Sequence, residues 1–168
     1  MKIDTLRAFY IEELRDLHSA ENQSLKVMPR MATSSSSPGL RKLFEAHIDE
    51  TRVHVERLDL ILEGLKADPA EKYCRAMEGI LVEVMAVLVV DMPDTVRDAA
   101  LIAAAQRIEH YEIAAYGCVR TYARLLGEHE AAGLLQESLR DEGDVDKWLT
   151  ELAEESINTD ASTEVAAA

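Results

Sequence analysis

Four glutamates lie on helical stripes that are otherwise apolar, one stripe on each of four predicted helices. The stripes advance by three or four residues, the period of one buried helix face, and their glutamates are Glu21, Glu50, Glu112 and Glu142. The spacing is matched, since 29 residues separate Glu21 from Glu50 and 30 separate Glu112 from Glu142. A buried carboxylate without a partner is costly or changes its ionisation state. Four together indicate a bound cation, and the matched spacing indicates a duplicated helix pair that builds a carboxylate-bridged two-metal site.

Further candidate ligands lie about one helical turn from the second glutamate of each pair. His54 follows Glu50 by four residues, and Asp146 follows Glu142 by four. His47 precedes Glu50 by three residues. Residues three or four apart share a helix face, so spacing alone does not rank the two histidines as ligands.

The donor set indicates which metals the site would take. Two-metal sites in helical bundles use one glutamate from each of two helices, and a glutamate with a histidine from each of the other two. We expect Glu21 and Glu112 as terminal ligands, Glu50 and Glu142 as bridging ligands, and Glu109 as a further ligand or a hydrogen-bonding neighbour of one. Many carboxylates and few imidazoles favour Mn or Fe over Cu or structural Zn. The sequence therefore predicts two Fe or Mn ions per chain.

An alternative interpretation of the same glutamates needs no metal. A single glutamate on an apolar stripe is usually a rim residue, whose stem packs while its carboxylate reaches water. Under this interpretation the bundle keeps the four carboxylates as a salt-bridge or hydrogen-bond network. The matched pairs on four helices favour the metal site.

Composition places the chain among single-domain helical proteins. Its 168 residues are enough for one domain with a substantial core, and 48% of them are hydrophobic. The formal net charge of −14 argues against binding to nucleic-acid phosphates and to anionic membranes. The two cysteines have no zinc-site spacing, and the charged N-terminus does not resemble a signal peptide. We expect a cytoplasmic protein with reduced cysteines.

Periodicity and punctuation predict an all-α fold with five helices. Proline, glycine and serine clusters separate them, and the predicted ranges are 4–31, 39–66, 70–90, 95–126 and 128–157. Short connections make the first and second helices, and the fourth and fifth, antiparallel pairs. The apolar third helix carries few candidate ligands and is predicted to cross the bundle. We expect residues 1–158 to form the bundle and residues 159–168 a flexible C-terminal tail.

Two segments and part of a third resemble a known family. Residues 14–23, LRDLHSAENQ, resemble the first-helix signature of the YciF-like stress proteins, a ferritin-like family. Residues 106–117, QRIEHYEIAAYG, are similar to the family's most characteristic motif, and His47, Glu50, Thr51 and Leu58 match its second helix. The resemblance covers about residues 3–153, nearly the whole chain.

The resemblance implies a ferritin-like four-helix bundle with an additional crossover helix. It also implies a subunit that is often dimeric, a two-metal centre and an association with bacterial stress. It implies no particular reaction. The family more often has glutamine at the position of His54, which favours His47 slightly as a shared ligand, and tends to have tyrosine at the position of His18.

Two functional hypotheses from different classes follow. The first is a metalloprotein whose di-iron or di-manganese centre acts on O2 or peroxide as an oxidase, peroxidase or ferroxidase in a stress response. The second is a metal-binding or stress-assembly homodimer without turnover. Iron storage in a large shell is a third possibility, which a dimer in solution would exclude.

Overall fold

A computed structural model describes residues 3–163, and this part of the chain contains helices and no strand. The long helices are α1 (Leu6–Ser34), α2 (Pro38–Gly64), α3 (Arg75–Val89), α4 (Asp94–Leu125) and α5 (His129–Leu152). A π-helical segment (Ala153–Ile157) and a short helix α6 (Asn158–Ser162) follow α5. The predicted all-α class and the five helices are confirmed.

The topology is a four-helix bundle with one crossover. α1 packs against α2 and α4, and α5 packs against α2 and α4. The short connections make α1–α2 and α4–α5 antiparallel hairpins. The N-terminal half of α1 lies in one apolar cluster with the C-terminal half of α4, so these two helices are also antiparallel. Because α2 and α4 then run in the same direction, the chain needs a crossover between them, and α3 supplies it while packing against α1 and α4.

The loop between α1 and α2 is held by one buried carboxylate of α4. Asp98 accepts hydrogen bonds from the Ser36 backbone N–H at 2.9 Å, the Ser36 hydroxyl at 2.6 Å and the Ser37 backbone N–H at 2.8 Å. The Ser37 hydroxyl in turn accepts from the Leu40 N–H, which caps the first turn of α2. Asp98 thereby ties the turn of one hairpin to a helix of the other.

Several predicted boundaries differ from the structure, among them the start of the third helix and the start of the tail. The third helix begins at Arg75 rather than at residue 70, because Pro69–Glu71 form a separate 3-10 turn and Cys74 caps α3. The tail was predicted to begin at residue 159, but helical backbone continues to Ser162. Residues 164–168 of that predicted tail lie outside the described residues.

The core consists of two apolar clusters at different heights along the bundle. One includes Met28, Met31, Leu40, Phe44, Leu101 and Leu149, and the other includes Tyr10, Leu14, Leu58, Tyr116 and Leu135. The predicted glutamate stripes pass through the space between them. No helix in the described range is both long and apolar enough to cross a membrane.

Candidate metal centre

Six acidic or histidine side chains from four helices form a polar layer between the two apolar clusters. Each is at most 2% exposed. The members of this polar layer are Glu21 of α1, His47 and His54 of α2, Glu109 and Glu112 of α4, and Glu142 of α5. Every long helix of the bundle except the crossover therefore contributes to it.

The polar layer divides into two groups that share one residue. Glu21, His54 and Glu142 form one group, and the other consists of His47, Glu109, Glu112 and Glu142. Within each group, one possible ligand atom from each residue lies within 4.8 Å of the others. Each group could hold a metal ion, and Glu142 belongs to both.

The two carboxylate oxygens of Glu142 face different histidines. Glu142 Oε1 lies 2.8 Å from His54 Nδ1, and Glu142 Oε2 lies 3.6 Å from His47 Nε2. A second carboxylate also lies near each of these imidazole nitrogens. Glu21 Oε1 is 3.6 Å from His54 Nδ1, and Glu109 Oε1 is 3.4 Å from His47 Nε2. This arrangement suits a carboxylate that bridges two cations.

Two hydroxyl groups orient the terminal carboxylates of the polar layer. The buried Tyr116 hydroxyl donates to Glu21 Oε1 at 2.5 Å. The Ser24 hydroxyl donates to Glu112 Oε1 at 3.2 Å. Each of these hydrogen bonds occupies one oxygen of its glutamate and leaves the other oxygen for a further partner.

Several buried atoms of the polar layer lack a hydrogen-bond partner among the described residues. They are Glu21 Oε2, His47 Nε2, His54 Nδ1, Glu109 Oε2 and both oxygens of Glu142. Although His54 Nδ1 and Glu142 Oε1 are 2.8 Å apart, their geometry is not that of a hydrogen bond. Buried polar atoms are normally paired, and each unpaired one is costly. The unpaired atoms are oxygens and imidazole nitrogens, the donors that Fe and Mn take, so the residues present fit a metal centre.

The electrostatics of the polar layer also call for positive charge. Burial opposes protonation of His54, but the carboxylates of Glu142 and Glu21 outweigh it and raise the histidine's pKa to about 10. Burial likewise opposes protonation of His47, and Glu109 and Glu142 raise its pKa well above the usual value. Burial raises the pKa of Glu142 to about 8, against the opposing pull of His47 and His54. Protons thus supply the charge that the polar layer holds when no metal is bound.

Glu112 and Glu109 respond to the same layer in opposite directions. Burial raises the pKa of Glu112 well above its usual value, and the carboxylates of Glu21 and Glu142 add to the effect. Burial also disfavours ionised Glu109, but the adjacent His47 outweighs this and lowers the Glu109 pKa. The polar layer therefore does not hold all its carboxylates ionised on its own.

Two of the predicted ligands lie outside both groups. Glu50, predicted to bridge, has a side chain that is 39% exposed, and its Oε2 lies 3.5 Å from the outward Nδ1 of His47. At about 100° per residue, Glu50 is rotated about 60° from His47, whereas His54 is within about 20° of it. Glu50 therefore lies at the rim of the polar layer, and among the described residues Glu142 is the one that belongs to both groups.

Asp146 faces the neighbouring helix α4 instead of the polar layer. It accepts a hydrogen bond from Gln106 Nε2 at 3.1 Å, and its Oδ1 lies 3.2 Å from His110 Nε2. It is one turn beyond Glu142 and rotated about 40° from it. Spacing alone does not say which of His47 and His54 is the better candidate ligand. The structure places both in the polar layer, one in each group.

Sequence reasoning missed Asp141 as a neighbour of the site. Its Oδ2 lies 3.4 Å from His54 Nε2 and accepts from Arg57 Nη1 at 2.9 Å. Asp141 is not on the apolar stripe of α5, so the periodicity that identified Glu142 carries no signal for it. Its position directly before Glu142 was the only available indication.

An antiparallel four-helix bundle with one crossover and a central layer of glutamates and histidines is the ferritin-like arrangement. The chain belongs to the family described as a domain of unknown function (DUF892), whose model matches residues 5–162. The YciF-like resemblance and the ferritin-like fold predicted from the sequence are confirmed.

The relatives support this assignment at several levels of similarity. The protein YciF of Escherichia coli K12 is 40% identical over 162 residues, which are 96% of this chain and 98% of YciF. The crystal structure of that stress protein matches with a TM-score of 0.89 over 93% of this chain and 99% of its own. YcfI from Rhodopseudomonas palustris is 31% identical, with a TM-score of 0.83 over 89% of this chain and 95% of its own.

A more distant structure shares the fold. The ferritin-like, diiron-carboxylate proteins of Bacillus anthracis are 20% identical to this chain. They match with a TM-score of 0.68 over 90% of this chain and 99% of theirs.

Metal binding to the polar layer should release protons. At neutral pH the metal-free His54, with its pKa near 10, carries a proton on each nitrogen, and coordination requires one of them to leave. We expect calorimetric titration with Mn2+ near pH 7, in buffers of different ionisation enthalpy, to show net release of at least one proton per chain. The apparent affinity should fall as pH is lowered. A binding heat that is the same in every buffer, with an affinity independent of pH, would contradict this account of the electrostatics.

Proposed function

We propose that the chain binds two divalent Fe or Mn ions in the polar layer, with Glu142 bridging them. The observation that carries the proposal is the set of six buried ligand atoms without hydrogen-bond partners, gathered in two groups that share this residue. Glu21 and His54 would hold one ion, and the other would take His47, Glu109 and Glu112.

The charges of the polar layer support this stoichiometry. Its four glutamates carry four negative charges when ionised, and two divalent cations carry four positive charges while both histidines remain neutral. One divalent ion would leave two negative charges uncompensated in the core, where unpaired charges are costly. Two ions therefore match the layer better than one.

The chemistry follows from what the chain's own residues do around the ions. An Fe or Mn pair, when bound, supplies one-electron redox chemistry toward O2 or peroxide. The Glu21–His54–Glu142 group has one residue fewer than the other, so an ion held there would have more coordination positions left for a small exogenous ligand. Burial and the Glu21 carboxylate raise the pKa of Tyr116 well above its usual value, so its hydroxyl remains a proton donor to Glu21. The apolar clusters on both sides limit entry of water.

These features support an oxidase, peroxidase or ferroxidase role in a stress response as the proposed function. The relative YciF is described as a stress protein. We further propose a cytoplasmic location, since both Cys74 and Cys118 are free thiols in the structure.

Metal content should depend more on Glu142, which belongs to both groups, than on a residue such as Glu21 that belongs to one group. We expect protein purified without chelator to hold about two Fe or Mn ions per chain, the number given by the two proposed groups. Glu142→Ala should lose both ions, whereas Glu21→Ala should lose one. Elemental analysis with circular dichroism as a folding check measures this.

The control is Asp144→Ala, which removes an exposed carboxylate from the same helix as Glu142. It should keep wild-type metal content, and Glu50→Ala should also retain both ions at saturating metal. Equal metal content in the Glu142, Glu21 and Asp144 variants would contradict the proposed site.

Repeated oxidation of Fe(II) distinguishes the proposed redox function from metal binding without catalysis. We expect wild-type protein to oxidise Fe(II) with peroxide over many cycles, and Glu142→Ala to reduce the rate to that of free Fe(II). Steady-state spectrophotometry of Fe(III) formation measures the rate. Binding of Fe(II) at fixed stoichiometry without repeated oxidation would instead support the alternative, a non-catalytic metal-binding or stress-assembly dimer.

The outer face of α3 favours assembly into a homodimer under either function. Val82 is 64% exposed and Val89 is 72% exposed on a chain that is otherwise rich in charge. Exposed apolar patches mark interaction surfaces, and a second copy would cover this face. Sedimentation equilibrium should give about twice the 18.7 kDa chain mass, and Val82→Asp together with Val89→Asp should give the monomer. A monomeric wild type or a large shell would contradict the dimer.

A further inference from the structure

We propose that Asp141 and Glu50 are positioning residues that fix opposite tautomers of the two histidines. His54 would then coordinate through Nδ1 and His47 through Nε2. This inference rests on the proposed two-metal function and extends it to residues outside both ligand groups.

The two nitrogens of His54 lie in different surroundings. Nδ1 faces the polar layer, 2.8 Å from Glu142 Oε1 and 3.6 Å from Glu21 Oε1. Nε2 points the other way and lies 3.4 Å from Asp141 Oδ2. Because Asp141 and Glu142 are consecutive residues, one stretch of α5 holds both sides of the imidazole.

Asp141 is itself held in place by α2. Arg57, three residues after His54, donates from Nη1 to Asp141 Oδ2 at 2.9 Å and to the Ser138 hydroxyl at 3.1 Å. These contacts hold Asp141 in position as a hydrogen-bond acceptor beside His54.

His47 shows the same arrangement with its nitrogens exchanged. Its Nε2 faces Glu109 and Glu142 in the polar layer, and its Nδ1 lies 3.5 Å from Glu50 Oε2. Glu50 is more exposed than Asp141, with 39% against 22% of the side chain accessible. We therefore expect Glu50 to constrain its histidine less strongly than Asp141 does.

The chemistry of imidazole turns these contacts into a tautomer assignment. A neutral imidazole has one N–H and one lone pair, and a carboxylate accepts only the N–H. An outer carboxylate consequently leaves the lone pair on the opposite nitrogen, ready for a metal. The unpaired state of His54 Nδ1 and His47 Nε2 among the described residues agrees with this assignment.

The first test compares two variants of α5 that lose the same charge. Asp141→Asn removes the carboxylate next to His54, while Glu137→Gln removes one that also pairs with Arg57, at 3.2 Å. Loss of such an outer carboxylate typically lowers metal affinity by roughly tenfold to hundredfold. We expect that loss of Mn2+ affinity for Asp141→Asn, a smaller loss for Glu50→Gln, and wild-type affinity for Glu137→Gln. Competition titration against a metal-binding dye measures all three.

Folded Asp141→Asn protein with wild-type Mn2+ affinity would overturn the inference, and so would equal losses in the Asp141 and Glu137 variants. Failure of the proposed function has a different signature. Wild-type protein that binds no Mn2+ would overturn the two-metal proposal and this inference together.

The second test needs no variant and therefore does not depend on how well one folds. Long-range 1H–15N NMR of histidine-labelled wild type, loaded with diamagnetic Zn2+, identifies the protonated nitrogen of each imidazole. We expect a proton on Nε2 of His54 and on Nδ1 of His47, with the other nitrogen of each bound to the metal. Both histidines bound through the same type of nitrogen would overturn the inference.

Discussion

Four carboxylates lie buried at the same height of one helical bundle, and the rest of the structure must compensate their negative charge. Glu142 is central to this layer, because its two oxygens face the two histidines, one in each group of the polar layer. Like charges at this separation cannot all remain ionised in an apolar surrounding without compensation. Because neighbouring carboxylates raise the pKa values of His47 and His54, protons would compensate this charge when no metal is present, and two divalent cations would replace them.

The architecture holds this layer in place from both sides. Apolar clusters lie above and below it, so each of the four long bundle helices is anchored by packing on either side of its polar residue. Asp98 ties the turn of the first hairpin to the second, and α3 carries the chain across so that neighbouring helices stay antiparallel. Packing therefore stabilises a fold whose centre is, by itself, unfavourable.

Periodicity predicted the fold and most of the side chains that the structure gathers in the polar layer, but it does not resolve a small rotation around a helix. Glu21, Glu112 and Glu142 lie on stripes whose apolar neighbours are buried, so their inward direction could be read from the sequence. Glu50 lies only about 60° from His47 around the helix. A spacing of three or four residues is shared by inward and rim positions that differ by so small an angle, so it does not distinguish them. Asp141 carries no apolar pattern, so its contact with His54 required tertiary structure. The late start of α3 follows from local turn chemistry at Pro69, which periodicity does not describe.

The most direct test of a Glu142-bridged pair is anomalous X-ray diffraction from crystals of Mn2+-loaded protein. The account predicts two anomalous peaks in the polar layer, one contacting His54 and one contacting His47, with a carboxylate oxygen of Glu142 bound to each. A single peak, or peaks beside Glu50 and Asp146 with Glu142 bound to neither, would contradict it.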